Sequence, residues 1–325
     1  MNDEFKIDEL NVDKDVKILF MGTPDFAVPI LEGLIENYKV KAVVTQPDKK
    51  VGREGELTPP PVKKLANDNT ILVIQPESIN NYIEEINELD VDLIITCAYG
   101  QIIPVDILIK PRLGAINVHA SLLPKLRGGA PIHRAIIQGH AKTGVTIMKM
   151  VKRLDAGDII SQKEIEIDEY DTASSLHDKL SILGTELLLE TLPSIINQTA
   201  EFKKQDESEA TFASNISRED ERIDFSKSKK QVYNKIRGLN SWPGAYCTID
   251  SKNLKVWDSY TTDNYFNNVF DGEVTAIYED GFGVKVANGE VVITSVQPEG
   301  KPKMSALDFA RGYENKGGLV GKILV

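Results

Sequence analysis

Two cysteines and two tryptophans are all that 325 residues contain, and no apolar run approaches the roughly 20 residues that span a bilayer. Cys97 and Cys247 lie in separate apolar runs, which excludes a disulfide framework and suits buried free thiols in a reducing compartment. No Cys/His cluster has metal-ligand spacing, so no metal is expected. Only Gly22 stands where a Gly-x-Gly-x-x-Gly run would follow a first strand, which argues against a dinucleotide pyrophosphate site. The opening residues, MNDEFKIDELNVDKD, read as an acidic tail without the apolar centre of a signal peptide. The expectation is a cytoplasmic protein with no membrane contact, and a monomer.

Excess positive charge is also missing. A net charge of −11 argues against a broad nucleic-acid surface. The imbalance is confined to the first part of the chain, because from Ile223 onward 13 Lys/Arg face 12 Asp/Glu. There Lys227, Lys229, Lys230, Lys235 and Arg237 form a run without an acid among them. The run reads either as a solvated helix face or as a local phosphate-binding patch. In the second case, affinity for a nucleic acid should fall steeply with salt.

Taken in order, the chain alternates strand and helix. Strands are expected at Val16–Met21, Val40–Thr45, Ile71–Ile74, Asp92–Cys97 and Gly114–His119. Helices are expected at Ala27–Glu36, from Pro59-Pro60-Pro61 to about Ala66, at Ile79–Leu89 and at Ala173–Asn197. This alternation predicts an α/β fold with a Rossmann-like, mostly parallel sheet. The stretch from Gln46 to Leu57 is long, charged and carries two glycines, which marks a functional loop. Residues 200–218 are charged and poor in apolar side chains and read as a linker. Beyond them come a helix at Phe225–Leu239 and five short strands, Tyr246–Ile249, Leu254–Tyr260, Gly272–Ile277, Gly283–Val286 and Val291–Val296. That spacing predicts a small OB-like β-barrel, with Trp242 in Trp242-Pro243-Gly244 as a core anchor. The expected domains are therefore a tail at 1–15, an α/β domain at 16–199, the linker, and a barrel domain at 219–325.

Chemistry concentrates after the fifth strand. Asn117 and His119 are two apart, so a strand places both on one face and Ile116 and Val118 on the other. The run breaks at Ser121-Leu122-Leu123-Pro124, which puts the pair at the carboxyl end of its strand, where open α/β sheets hold ligands. Asp155 follows in Leu154-Asp155-Ala156-Gly157-Asp158. An amide, an imidazole and a carboxylate can hold an oxyanion and move a proton. Each also has a plain structural reading: a core histidine, a turn-satisfying asparagine, and an Asx-turn aspartate with Asp158 as its twin.

The Asn117-x-His119-x-Ser121-Leu122-Leu123-Pro124 run, with Arg127-Gly128-Gly129-Ala130-Pro131-Ile132 and Leu154-Asp155-Ala156-Gly157-Asp158, resembles the folate-dependent formyltransferases. The likeness runs from Val16 nearly to the C-terminus and is strongest to the branch that acts on a charged tRNA. The resemblance implies an enzyme carrying the formyl group of 10-formyltetrahydrofolate to the α-amine of methionyl initiator tRNA, with Asn117, His119 and Asp155 catalytic. It implies a folate pocket lined by Ser121, Leu122, Leu123 and Pro124 and by the loop at Tyr99 and Gly100. It further implies contacts from Phe26 to the methionine side chain, from Arg53 to the acceptor stem, and from Lys229, Lys230 and Arg237 to tRNA. Glu54-Gly55-Glu56 depart from the basic run that the family often has after that arginine. Rival readings are a formyltransferase for a sugar nucleotide or a ribotide, a folate-dependent hydrolase, and a tRNA-binding module without catalysis.

Overall fold

Lys17–Gly22 and Leu93–Cys97 are apolar at nearly every position, a composition that suits strands covered on both faces. The computed structural model describes residues 15–51 and 55–325 and divides them into two units. The first runs up to Gly128 and also takes in Gly144–Glu164 and Asp178–Phe212. The second consists of Gly129–Thr143, Ile165–His177 and Ala213–Val325.

In chain order the elements are β1 (Lys17–Gly22), α1 (Val28–Asn37), β2 (Lys39–Val44), a hairpin of β3 (Lys49–Val51) and β4 (Glu56–Thr58), α2 (Pro61–Asp68) and β5 (Leu72–Ile74). There follow α3 (Ile83–Asn87), β6 (Leu93–Cys97), α4 (Val105–Leu108), β7 (Ala115–His119), α5 (Pro131–Ile137), β8 (Lys142–Lys149), β9 (Ile159–Glu166) and α6 (Ala173–Ile196). The seven-stranded sheet has the order β5-β2-β1-β6-β7-β8-β9. Its first five strands are mutually parallel, and β8 runs antiparallel to β7. The chain winds outward from β1 to β5 and returns to β6 on the other side of β1. The ligand crevice of such a sheet therefore opens at the carboxyl ends of β1 and β6. Loops there are tied together: Thr23 Oγ1 and Gln46 Nε2 donate to the Tyr99 carbonyl at 3.0 and 3.1 Å.

Helix α6 covers one face of β7. Gly184 lacks a Cβ where one would stand 3.2 Å from Val118 Cγ1. The close approach buries the Val118 face and leaves the Asn117–His119 face for the site.

The expected single helix at Ile79–Leu89 is instead a 3-10 turn, Ile79–Asn81, followed by α3. Tyr82, at φ −120° and ψ 15°, leaves the helical region, after two asparagines that favour turns over helix interiors. The expected functional loop contains the β3–β4 hairpin, with Lys49 opposite Thr58 and Val51 opposite Glu56. Arg53 and Glu54 lie outside the described residues, as does the acidic stretch 1–14.

The second unit adds α7 (Arg218–Glu221), α8 (Lys229–Gly238), β10 (Ala245–Ile249), β11 (Lys252–Thr262), β12 (Val274–Ile277), β13 (Phe282–Val286), β14 (Gly289–Pro298), β15 (Met304–Ser305) and α9 (Ala306–Arg311). The strands form an antiparallel sheet in the order β10-β11-β14-β13-β12, with β15 on β14. The terminal segment joins its two edges: Thr248 and Val325 exchange backbone bonds at 2.7 and 2.9 Å, and Leu324 N donates to Gly272 O at 2.8 Å. Gly272 (φ +87°) is needed there, because a Cβ would lie 2.4 Å from the Leu324 carbonyl oxygen.

Helix α8 starts at Lys229, later than the expected Phe225, because Ser228 and Gln231 form a reciprocal cap. Trp242 is 69% exposed, which corrects the expectation of a core anchor. Leu239 and Ala245, both fully buried, fill the core on either side, while the indole stands edge-on to His133 at 6.0 Å.

Candidate active site

The period of β7 determines the first two groups, and both belong to the first unit. Asn117 is half-buried, and its Oδ1 accepts from the Thr96 hydroxyl at 2.7 Å. That bond fixes the amide so that Nδ2, the donor end, points away from β6. Among the described residues Nδ2 has no protein partner. His119 is 6% exposed, with Nε2 3.0 Å from the Leu126 carbonyl oxygen. A carbonyl can only accept, so Nε2 carries the proton and Nδ1 is the basic nitrogen of the neutral ring.

Nδ1 faces Asp155, whose Oδ2 lies 3.8 Å away, in a pair that is 7% and 11% exposed. Asp155 sits at φ +47°, a conformation that aspartate tolerates better than most residues. Its Oδ2 also accepts from Gly128 N at 2.8 Å. The short strap Leu126-Arg127-Gly128 thus binds the imidazole with its first residue and the carboxylate with its last. At 3.8 Å the imidazole–carboxylate contact is longer than a hydrogen bond, as catalytic contacts often are before substrate arrives. The three side chains expected from the sequence are therefore brought together: an unengaged amide donor, an imidazole with its basic nitrogen inward, and a carboxylate beside it.

The Ser121–Pro124 turn is built from inside. Ser121 and Leu123 are buried, Leu122 and Pro124 half-buried. Thr146 Oγ1 donates to Ser121 O at 2.6 Å, and Gln162 Nε2 donates to Leu123 O at 2.9 Å. The loop after β6 contributes the buried ring of Tyr99, whose hydroxyl has no partner among the described residues. Burial pushes that phenol up to about 12. Gly100 follows at φ +91°, and Ile102 is 85% exposed, an apolar surface beside main-chain groups. A planar heterocycle with an amide edge suits such a wall.

Other expected residues take different places. Phe26 is buried in the first unit, and its carbonyl accepts from Ser181 Oγ at 2.7 Å. Within the second unit, Lys229 Nζ binds Thr262 O at 3.0 Å and pairs with Asp263. Lys230 is exposed. Arg237 departs from the expectation of a nucleic-acid contact: it is buried, and its guanidinium donates to Asp171 O at 2.7 Å, Asp168 O at 3.0 Å and Asn234 Oδ1 at 2.9 Å. A guanidinium used up on such acceptors is structural. Among the described residues, no group of three or more His, Cys, Asp or Glu is placed to hold a metal ion, and no helix is long and apolar enough to cross a membrane.

The sequence reading missed Thr96, Leu126 and Gly128. Thr96 and Leu126 belong to no motif, and Gly128, though part of the Arg127–Ile132 run, acts through its backbone amide; only the sheet register and the strap bring them to Asn117, His119 and Asp155.

Comparison with known proteins adds independent findings. Residues 16–192 match the family Formyl transferase, and residues 215–314 match Formyl transferase, C-terminal domain. The methionyl-tRNA formyltransferase of Staphylococcus aureus (strain MW2) is 52% identical over 314 residues, covering 95% of this chain and 99% of that protein. Among solved structures, HypX from Aquifex aeolicus in complex with tetrahydrofolic acid has a TM-score of 0.63 at 19% identity, over 92% of this chain and 47% of that one. An N-formyltransferase from Helicobacter canadensis, in complex with folinic acid and dTDP-3-aminofucose, has a TM-score of 0.66 at 24% identity, over 87% and 99%. These structural likenesses establish the fold.

Proposed function

The chain belongs to the formyl transferase family, and from that premise we propose that it formylates methionyl initiator tRNA, taking the formyl group from 10-formyltetrahydrofolate. The observation that carries the reading is the near-full-length likeness to a relative of that name, which spans the strand bearing Asn117 and His119 as well as the barrel unit. The product, formylmethionyl-tRNA, serves the initiation of protein synthesis. The reading places the enzyme in the cytoplasm as a monomer, asks for no metal, and assigns catalysis to 16–199 and tRNA contact to 219–325.

Chemically, the neutral α-amine of the methionyl group attacks the formyl carbon, and the carbonyl oxygen becomes an oxyanion. Asn117 Nδ2, held outward by Thr96, donates to that oxygen. The amine then sheds a proton as the bond from carbon to the folate nitrogen breaks, and the folate nitrogen gains one. His119 Nδ1 is the nitrogen able to take and return that proton, and the Asp155 carboxylate stabilises the imidazolium in between. Exclusion of water by the buried pair strengthens the interaction. The folate ring is placed against Tyr99, Gly100 and the Ser121–Pro124 turn. Phe26 is assigned to the methionine side chain, and Arg53, Lys229 and Lys230 to the tRNA.

The test is formyl transfer to methionyl initiator tRNA, with uncharged tRNA and free methionine as controls, on wild type and His119→Ala. Transfer to the charged tRNA that falls by at least about 10²-fold in the variant supports substrate and site. Transfer that survives His119→Ala overturns the catalytic assignment. Folate binding without transfer points to another amine acceptor, such as an amino sugar.

A further inference from the structure

Beyond α6 the chain enters the charged stretch that reads as a linker, yet residues 203–211 are bound tightly to the first unit. Lys203 exchanges backbone bonds with Ile159 at 2.8 Å each, at the start of β9. Arg127 N donates to Thr211 O, and Leu126 N to Thr211 Oγ1, both at 2.9 Å. Gln205 lies between these anchors.

Its side chain bridges two parts of the site. Gln205 Oε1 accepts from Arg127 Nη2 at 2.7 Å and from Arg127 Nε at 3.0 Å. Gln205 Nε2 donates to Asp155 O at 2.8 Å and to Gly157 O at 2.7 Å. Only this orientation satisfies the amide: turned over, it would set its NH2 against a guanidinium and its oxygen against two carbonyls. Arg127 is itself fully buried and takes its countercharge from Glu207 at 3.0 Å. A buried guanidinium leaves little freedom to its acceptors.

The consequence falls on Asp155. Its backbone conformation is one that few residues adopt, its loop is pressed onto β8 at Gly157, and its carboxylate is short of hydrogen-bond contact with His119. Something must hold that loop, and Gln205 holds it at two carbonyls while reading the strap that carries Leu126 and Gly128. We propose that Gln205, oriented by Arg127, is a positioning residue that sets the Asp155 loop against His119. The assignment rests on the reading of Asn117, His119 and Asp155 given above.

The decisive variant is Gln205→Glu in the full chain, with Gln205→Ala beside it. Glutamate keeps an oxygen for Arg127 but places a carboxylate oxygen against Asp155 O and Gly157 O. Expected is a fall in kcat of about 10- to 100-fold with KM for both substrates within about twofold, the scale of a misplaced catalytic group. In an Asp155→Asn background the same change should lower kcat by less than about twofold, since the two act as one unit. Wild-type kcat in Gln205→Glu overturns the proposal, as does a loss that multiplies fully with that of Asp155→Asn. Hydrogen exchange gives a readout independent of activity: the Gly128 amide, bound to Asp155 Oδ2, should exchange at least about tenfold faster in Gln205→Glu, while Ile95 in β6 is unchanged. If wild type transfers no formyl group, the reaction assignment falls, and the Gly128 exchange alone decides whether Gln205 positions the loop. Unchanged exchange refutes it.

Discussion

Thr96 stands opposite Asn117 in the β6–β7 register, and its hydroxyl donates to the asparagine oxygen at 2.7 Å. The pairing commits the amide to donate toward the crevice. Thr96→Val removes the bond while keeping the shape, and should lower kcat by about three- to tenfold, the worth of one hydrogen bond. Asn117→Ala should lower it by about 10²- to 10³-fold. In the Asn117→Ala background Thr96→Val should change nothing, which steady-state formylation kinetics will show.

Asp155→Asn preserves an acceptor for Gly128 N but removes the charge beside His119 Nδ1. A fall in kcat of about 10²- to 10⁴-fold with little change in folate affinity is expected. Equal losses in kcat and in folate binding would show instead that the loop had moved.

Both thiols should be silent in the folded protein. Cys97 and Cys247 are fully buried, and burial pushes the Cys97 thiol far up and that of Cys247 to about 12. A thiol-reactive dye at pH 8 should label neither residue until denaturant is added, and then both.

Acid should weaken the second unit through Asp220. Arg134 grips its carboxylate at 2.7 and 3.0 Å and holds it well below the usual carboxylate range. A carboxylate depressed in the folded state contributes stability above its unfolded value of about 4, and that contribution is lost as pH falls toward the folded value. Asp220→Asn should therefore lower stability at pH 7 by about 1 kcal/mol, allowing for solvent screening, and flatten the acid limb below about pH 4. Denaturant melts from pH 2 to 7 measure both effects.

Glu290 is fully buried in the antiparallel sheet and accepts from Thr262 at 2.8 Å, Tyr278 at 2.9 Å and Asn264 at 3.1 Å, with Thr275 as a fourth donor. Alanine would remove the shared acceptor of four donors, of which Thr262, Thr275 and Tyr278 are half-buried and Asn264 is exposed. Glu290→Ala should cost about 1–3 kcal/mol, and Glu290→Gln less, read by the melting of the second unit. Equal melting of wild type and Glu290→Ala would mean that water replaces the carboxylate.

These sites differ in how far the sequence announces them. Asn117 and His119 share a face because strand side chains alternate, a relation visible in any two residues two apart. Helix α8 was legible in outline, but its first turn belonged to Ser228, since a side-chain cap outweighs the apolar pattern starting at Phe225. Arg237 looked like the end of a basic patch, yet charge in sequence says nothing about which cations meet carbonyls. Trp242 looked like core by its size and is exposed because Leu239 and Ala245 had already filled the space. Gln205 was invisible for another reason. Its meaning comes from Arg127 and Asp155, 78 and 50 residues away, and no local pattern encodes a partner at that distance.

The anchoring of residues 203–211 also governs when the molecule can first act. A chain made from its N-terminus has Asn117, His119 and Asp155 long before Thr211, but the Leu126 and Arg127 amides of the strap between them gain their partners only when Thr211 arrives. Nascent chains stopped near residue 196, at the end of α6, therefore hold Asn117, His119 and Asp155 without the segment that braces them. The arrangement of the three side chains should be complete once the brace is made, and formyl transfer to tRNA should follow only when the second unit is made as well.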